Sequence, residues 1–435
     1  MSDGVPLVYV GMTGDMLHNG HINILNCASQ LGTVVVGLLT DQAVASYKRV
    51  PVLDYNQRKS VIEQLRTVDR VVPQNTLDYL PNLLELRPQY VVHGSDWKVG
   101  VQSGTRQAVI DTISEWEGEL VEPDYTEGIS STMMVSSLQS NGVSPEFRIS
   151  RMRRILAVTG QIRAIEVHNG LTGIIAEESS VVCEGETREF DAFWLSSLTH
   201  SASKGKPDNQ IVDSTMMTST INEIFDVTTK PMIVDLDNGG PIEHFGINVR
   251  RLERLGVSAV IIEDKIGKKR NSLFEDGIDQ RQDSIEDFSK KIQLGKDALV
   301  GSDFMIIARI ESLILNKGMD DALERASAFV ASGADGIMIH SKSKNADEIL
   351  AFIRTFRESD ETTPVVVVPS TYSSTREDDL YAMGANVIIY ANHLIRAAFP
   401  AMRRTAETLL REKRALEAEE QLMPISDIIR LVPVD

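Results

Sequence analysis

Between residues 162 and 390 the sequence returns eight times to a short apolar run: 162–167, 190–195, 231–234, 257–262, 304–308, 336–339, 364–368 and 387–390. Runs of this length suit buried strands, and most are separated by stretches of helical periodicity. Eight strand–helix units in roughly 280 residues predict a (β/α)8 barrel. Nearly every run ends on polar residues: Glu166 and His168, Ser196 and Ser197, Asp235 and Asp237, Glu263 and Asp264, Arg309 and Glu311, His340 and Ser341, Ser370, and Asn392 with His393. Barrel enzymes place their chemistry at the carboxyl ends of the strands. Ordinary strand-to-loop polarity accounts for two or three such ends. Carboxylates, arginine and histidine alternating round one rim predict an active site.

The first ~130 residues have a different rhythm. Apolar runs at 7–10, 33–40 and 90–92 alternate with helical segments, and Ile24, Leu25, Ala28 and Leu31 share one helix face. Alternating strands and helices predict a Rossmann-like, doubly wound parallel sheet. A chain of 435 residues is long for one core. The expected division is therefore an α/β nucleotide-binding domain over 1–135, a connector over 136–153 and the barrel with C-terminal helices over 154–435. The polar segment 135–145 carries Ser, Asn, Gly and Pro and reads as linker, with Arg151, Arg153 and Arg154 behind it. The tail over 392–422 is amphipathic and charge-alternating; a solvated surface helix and an oligomer contact both fit it.

Composition narrows the partners. A net charge of -18 argues against nucleic acid and means that anionic substrates need local positive sites. No apolar run has the length of a membrane span, and Cys27 and Cys183 form neither a disulfide framework nor a cysteine metal cluster. These features lead to the expectation of a cytoplasmic enzyme.

After the first apolar run, Gly14-Asp15-Met16-Leu17-His18-Asn19-Gly20-His21 opens a helix. Unpaired backbone N–H groups and the positive end of the helix dipole converge at such a point and favour a phosphate chain. His18 and His21 can reach one phosphate, and Gly20 lets the backbone approach. A zinc pair has the same spacing, but no third ligand sits in a supporting pattern. With the motif so placed, the segment resembles the cytidylyltransferase branch of the nucleotidyltransferases. Lys48, Arg58 in Tyr55-Asn56-Gln57-Arg58, Asp96 in His93-Gly94-Ser95-Asp96-Trp97, and Thr126-Glu127-Gly128-Ile129-Ser130-Ser131-Thr132 match further signatures. Tyr125 departs from the family's usual Arg. Class I aminoacyl-tRNA synthetases share the His-x-Gly-His logic but carry a Lys-rich second signature and RNA-binding domains that this acidic chain lacks. The resemblance implies attack of an acceptor oxyanion on the α-phosphorus of CTP with release of pyrophosphate. In that scheme His18 and His21 donate to the α-phosphate, Lys48, Ser130 and Thr132 hold the β and γ phosphates, and Arg58, Asp96 and Ser131 complete the nucleotide site. Mg²⁺ would bridge phosphate oxygens.

In the barrel, Asp235 and Asp237 lie on one side of a strand, and Glu263 ends the next. Three carboxylates there suit Mg²⁺ with several waters. The basic loop Asp264-Lys265-Ile266-Gly267-Lys268-Lys269-Arg270-Asn271-Ser272 follows, placed as a lid over an anionic substrate. Glu263-Asp264-Lys265, Lys269 and Asn271-Ser272 resemble the EDKxxxKxNS signature of phosphoenolpyruvate mutase, in the isocitrate lyase superfamily. The lyases' catalytic Cys is absent from this loop, and Asn271, which the related phosphonopyruvate hydrolase usually replaces, is retained. Ser197 stands where Gly is expected, a position at which only the backbone N–H is expected to serve. The resemblance implies conversion of phosphoenolpyruvate to phosphonopyruvate. Mg²⁺ and the backbone N–H groups near Ser196 would hold the enolate and carboxylate, Asp208 would be the family's essential Asp, Arg309, His340 and Asn271 would hold the phosphoryl group, and Lys269 would help to exclude water.

Joined in one chain, the two resemblances imply a bifunctional enzyme of phosphonate biosynthesis, of the kind found in fosfomycin-type antibiotic pathways. Its small phosphonate acceptor would be 2-hydroxyethylphosphonate or 2-aminoethylphosphonate, and a homo-oligomer through the barrel is expected. A phosphonopyruvate hydrolase or carbon–carbon lyase, and a non-catalytic nucleotide-binding N-terminal domain, are the competing readings.

Overall fold

The computed structural model describes residues 5–47, 49–98, 103–123, 143–183, 186–267, 269 and 280–431. The chain divides into two compact units. One comprises residues up to 162 with 177–191 and 225–231, and the other holds 163–176, 192–224 and the chain from 232 onward.

In the first unit, strands β1 (Leu7–Met12), β2 (Thr33–Leu39), β3 (Arg70–Gln74), β4 (Tyr90–Val92) and β5 (Glu119–Val121) form a parallel sheet in the order β3-β2-β1-β4-β5. This is the doubly wound α/β arrangement that the sequence predicts. Alternation along β1 builds two cores. Val8, Val10 and Met12 pack with Leu25, Ala28 and Val36 on one face, and Tyr9 packs with Val35, Leu83, Val91 and Trp97 on the other. The strand order reverses between β1 and β4, so the chain leaving β1 runs into the crevice at the switch point. Helix Asn19–Leu31 starts there. Helix Tyr55–Ile62 is set by a capping box in which Asp54 accepts from Gln57 N and Gln57 answers to Asp54 N.

Residues 136–142 of the expected connector lie outside the described residues. From Pro145 the chain is helical instead of irregular, over Pro145–Thr159. Ser144 caps it, Pro145 sits at its first turn and Gly160, with φ 71°, ends it. Arg148 anchors this helix: it is buried, donates to the Lys230 carbonyl at 2.7 Å and the Thr228 carbonyl at 2.5 Å, and lies over the Phe225 ring at 3.9 Å. A hairpin of β7 (Ser180–Cys183) and β8 (Glu186–Glu189) belongs to the same unit and was not expected from the apolar pattern. Its Val181 and Val182 are exposed.

The second unit is a closed barrel. Strands β6 (Ile162–Glu166), β9 (Ala192–Leu195), β10 (Met232–Asp235), β11 (Ala259–Glu263), β14 (Met305–Ile310), β15 (Gly336–Ile339), β16 (Val365–Val367) and β17 (Val387–Tyr390) follow one another round it. Each coincides with one of the eight apolar runs. Strands such as β11 and β14 are buried along their whole length, as sheets covered on both sides must be. Register places Glu263 beside Arg309 and Arg309 beside Met338, so the polar strand ends stand at one level. A short ribbon, β12 (Lys265–Ile266) with β13 (Arg281–Gln282), rises from the end of β11. The tail forms helix His393–Glu412, which buries none of its residues and exposes Phe399, Met402 and Leu410. Among the described residues no helix is long and apolar enough to cross a membrane.

Candidate active sites

At the switch point of the first unit, the loop after β1 is held from several sides. Gly14 has φ 64°, and a Cβ there would lie 2.5 Å from Ile62 Cδ1. The Asp15 carboxylate accepts from Val52 N at 2.9 Å and Leu53 N at 3.2 Å. His18 is the N-cap of helix Asn19–Leu31: its Nδ1 accepts from Gly20 N at 3.1 Å, and its own N–H donates to His21 Nδ1 at 3.4 Å. The two rings lie 4.1 Å apart. With each Nδ1 accepting, the proton of each neutral ring is assigned to Nε2, which makes both rings donors. Burial lowers the His18 pKa and favours that neutral form.

Arg58 is not where the resemblance would put it. Its side chain is wholly buried and donates to Leu53 O at 3.1 Å, to Thr13 O and to Asp41 Oδ1 at 2.6 Å. It braces the loop after β1. Asp96 lies in the short helix Ser95–Lys98, with its side chain outside the described residues. Lys48, Tyr125, Ser130, Ser131 and Thr132 are outside them as well.

The barrel mouth gathers most of its predicted residues. An open cavity of ≈ 660 Å³ is lined by Trp194, Ser196, Asp208, Asp235, Lys269, Arg309 and His340, among others. Ser196 caps helix Ser197–Ser203, accepting from Thr199 N at 3.4 Å, which aims the helix's first amides at the cavity rim. Lys269 Nζ pairs with Asp208 Oδ1 at 2.5 Å, with Asp237 and with the Ser197 hydroxyl. Despite burial, Asp235, Asp237 and Asp208 hold the proton on this ammonium more tightly than usual. Arg309 contacts Glu263, reaches Asp235 at 3.5 Å and sits 2.8 Å from Glu311. His340 Nδ1 lies 3.2 Å from Glu311 Oε1. Burial would raise Glu311, but Arg309 and His340 hold it well below the carboxylate range. Asn271 lies outside the described residues.

The expected metal ligands are adjacent but are not drawn together. Among the described residues no three His, Cys, Asp or Glu side chains are gathered closely enough to hold a metal directly. Glu263 is taken up by Arg309 and by Lys265 at 3.2 Å, while Asp237 pairs with Lys269. Burial raises the Asp237 pKa and the Asp235 charge raises it further. Such crowding of negative charge is what a cation relieves, and Mg²⁺ keeps several waters and needs only one or two carboxylates. The chemistry of the donor set, the carboxylates of Asp235, Asp237 and Glu263, therefore fits that ion.

Glu311 had been read only as a polar strand end and Ser197 only for its backbone N–H, and Trp194 had not been singled out. Glu311 aligns Arg309 and His340, and its place two residues after Arg309, just beyond the end of β14, was the available signal. The sequence holds no mark of the Ser197 hydroxyl's role.

Residues 152–410 match the family model described as phosphoenolpyruvate phosphomutase, and residues 9–136 match the one described as cytidylyltransferase-like. The chain belongs to the phosphoenolpyruvate phosphomutase family. It is 32% identical over 300 residues to a phosphoenolpyruvate phosphomutase of Tetrahymena pyriformis, covering 69% of this chain and 95% of that protein. The solved phosphoenolpyruvate phosphomutase from Streptomyces platensis subsp. rosaceus is similar with TM-score 0.60 and 34% identity, over 66% of this chain and 95% of that one. A phosphonopyruvate hydrolase solved in complex with oxalate and Mg++ is similar with TM-score 0.58 and 31% identity, over 65% and 94%. A phosphomutase-type barrel thus follows a cytidylyltransferase-like sheet in one polypeptide.

Proposed function

We propose that the barrel isomerises phosphoenolpyruvate to phosphonopyruvate and that the N-terminal unit transfers CMP from CTP to a small phosphonate made downstream of that product. The observation that carries the first half is the gathering of Asp208, Asp235, Lys269, Arg309 and His340 round one cavity at the carboxyl ends of the strands, with Asp237 paired to Lys269. Ser196 and the amides it presents would hold the pyruvyl carboxylate and enolate oxygen. Arg309 and His340, aligned by Glu311, would hold the phosphoryl group while the bond between phosphorus and the enol oxygen breaks, leaving pyruvate enolate, and phosphorus is captured by the enolate carbon. Lys269 and, by resemblance, Asn271 would keep water out, because water would turn the transfer into hydrolysis. Mg²⁺, held by Asp235 and Asp237 with Glu263, would supply charge stabilisation at the enolate.

In the N-terminal unit His18 and His21 would donate to the α-phosphate as negative charge builds on it, with Lys48, Ser130, Ser131, Thr132 and Asp96 completing the nucleotide site by resemblance. Arg58 is assigned a bracing role instead. We place the enzyme in the cytoplasm, and the exposed apolar residues of helix His393–Glu412 support a homo-oligomer. The test of the second half is CTP-dependent pyrophosphate release across a small panel of phosphonates and phosphates. Release with 2-hydroxyethylphosphonate or 2-aminoethylphosphonate is expected. CTP binding without release on any of them would favour a nucleotide-sensing unit.

A further inference from the structure

The third partner of Lys269 is a residue that the family pattern does not supply. Ser197 stands where Gly is expected, and its hydroxyl lies between two groups of the barrel mouth. Ser197 Oγ donates to Asp235 Oδ2 at 2.8 Å and accepts from Lys269 Nζ at 2.5 Å. A hydroxyl has one proton, so this donor and acceptor pair is the one assignment that serves both neighbours. Lys269 donates to Ser197 and to Asp208 and forms an ion pair with Asp237. The other oxygen of Asp235 accepts from Asp237 N at 3.2 Å and faces Arg309 at 3.5 Å. Asp235 is thereby held from both sides, by Ser197 at Oδ2 and by backbone and Arg309 at Oδ1. The support is rigid, because Ser197 is the first residue of a helix whose cap, Ser196, is buried. It also adds no charge to a mouth that already holds three carboxylates beside one lysine.

We infer that the Ser197 hydroxyl is a positioning residue of the barrel site, fixing the Lys269 ammonium and the Asp235 carboxylate in one geometry before any ligand arrives. A glycine at 197 leaves one lysine donor and one carboxylate oxygen without this partner. In its kinetic consequence the inference rests on the mutase reading; in its structural consequence it does not.

The test uses full-length, metal-free protein and measures acetylation of Lys269 by N-hydroxysuccinimidyl acetate, followed by peptide mass spectrometry, in wild type, Ser197→Ala and Ser197→Thr. Loss of the hydroxyl is expected to raise the Lys269 rate on the order of tenfold, the size of one hydrogen bond to a charged group. Threonine, which restores a hydroxyl, is expected to return it toward wild type. Exposed lysines such as Lys290 serve as internal controls for folding and reagent. In parallel, Ser197→Ala is expected to lower kcat/KM for phosphonopyruvate by about the same factor, with recovery in Ser197→Thr. Equal Lys269 rates in wild type and a folded Ser197→Ala would overturn the inference, as would a threonine variant that behaves like alanine. Wild-type protein without mutase turnover would instead contradict the mutase reading and leave the acetylation result standing.

Discussion

His18 and His21 show how two side chains can be aimed by their own backbone. Each ring spends Nδ1 on a backbone amide of the same turn, which places the proton of a neutral ring on Nε2. Replacing either by alanine removes one donor to a phosphate whose charge grows in the transition state. CTP-dependent pyrophosphate release is expected to fall by on the order of 10²-fold in each variant, with the barrel's activity unchanged. Unaltered release in both would remove the basis for this site. The pair was legible because its signal is local: spacing, a glycine and the start of a helix. Arg58 was not, because a cation at a motif position reads alike whether it faces a ligand or braces a loop. Only its burial against Thr13, Leu53 and Asp41 separates the two.

At the scale of elements, the barrel strands were legible as continuous apolar runs, since strands covered on both faces carry no alternation to obscure them. The edge strands of the N-terminal sheet were less so. β3 contains Pro73, which a strand tolerates at an edge, and β5 has three residues. Helix Ser197–Ser203 carries a buried group with a testable consequence. His200 lies 2.9 Å from Thr220 Oγ1, and burial lowers its pKa to about 4 from 6.5. Its folded pKa is depressed, so the unfolded chain binds the extra proton first as pH falls. Its contribution to stability is therefore present above about pH 6.5 and declines as pH drops toward 4. The difference in Tm between pH 7 and pH 5 is expected to shrink in His200→Asn relative to wild type. An identical difference in both proteins would contradict this assignment.

Over the whole molecule, the expected connector over 136–153 runs into helix Pro145–Thr159. Helix Pro145–Thr159 groups with the N-terminal sheet, although the phosphomutase match begins within it at residue 152. Arg154 on this helix donates to Val52 O and lies 3.4 Å from Asp41, the carboxylate that also holds Arg58. Arg58 in turn holds Thr13 O, next to the phosphate loop. A basic cluster such as Arg151, Arg153 and Arg154 carries no sequence mark of such a tie. Arg154→Ala is expected to raise the KM for CTP several-fold, the cost of one or two hydrogen bonds spread through the network, and to leave the barrel reaction as it was. Wild-type CTP kinetics in that variant would show that the helix does not support the nucleotide site. The central claim concerns the barrel, and its most direct test is a phosphorus NMR time course of phosphonopyruvate with the full-length protein and Mg²⁺. A mutase gives a growing phosphoenolpyruvate signal with no inorganic phosphate, and none of this happens in Asp235→Ala. Inorganic phosphate accumulating in step with loss of phosphonopyruvate, without phosphoenolpyruvate, would contradict the account.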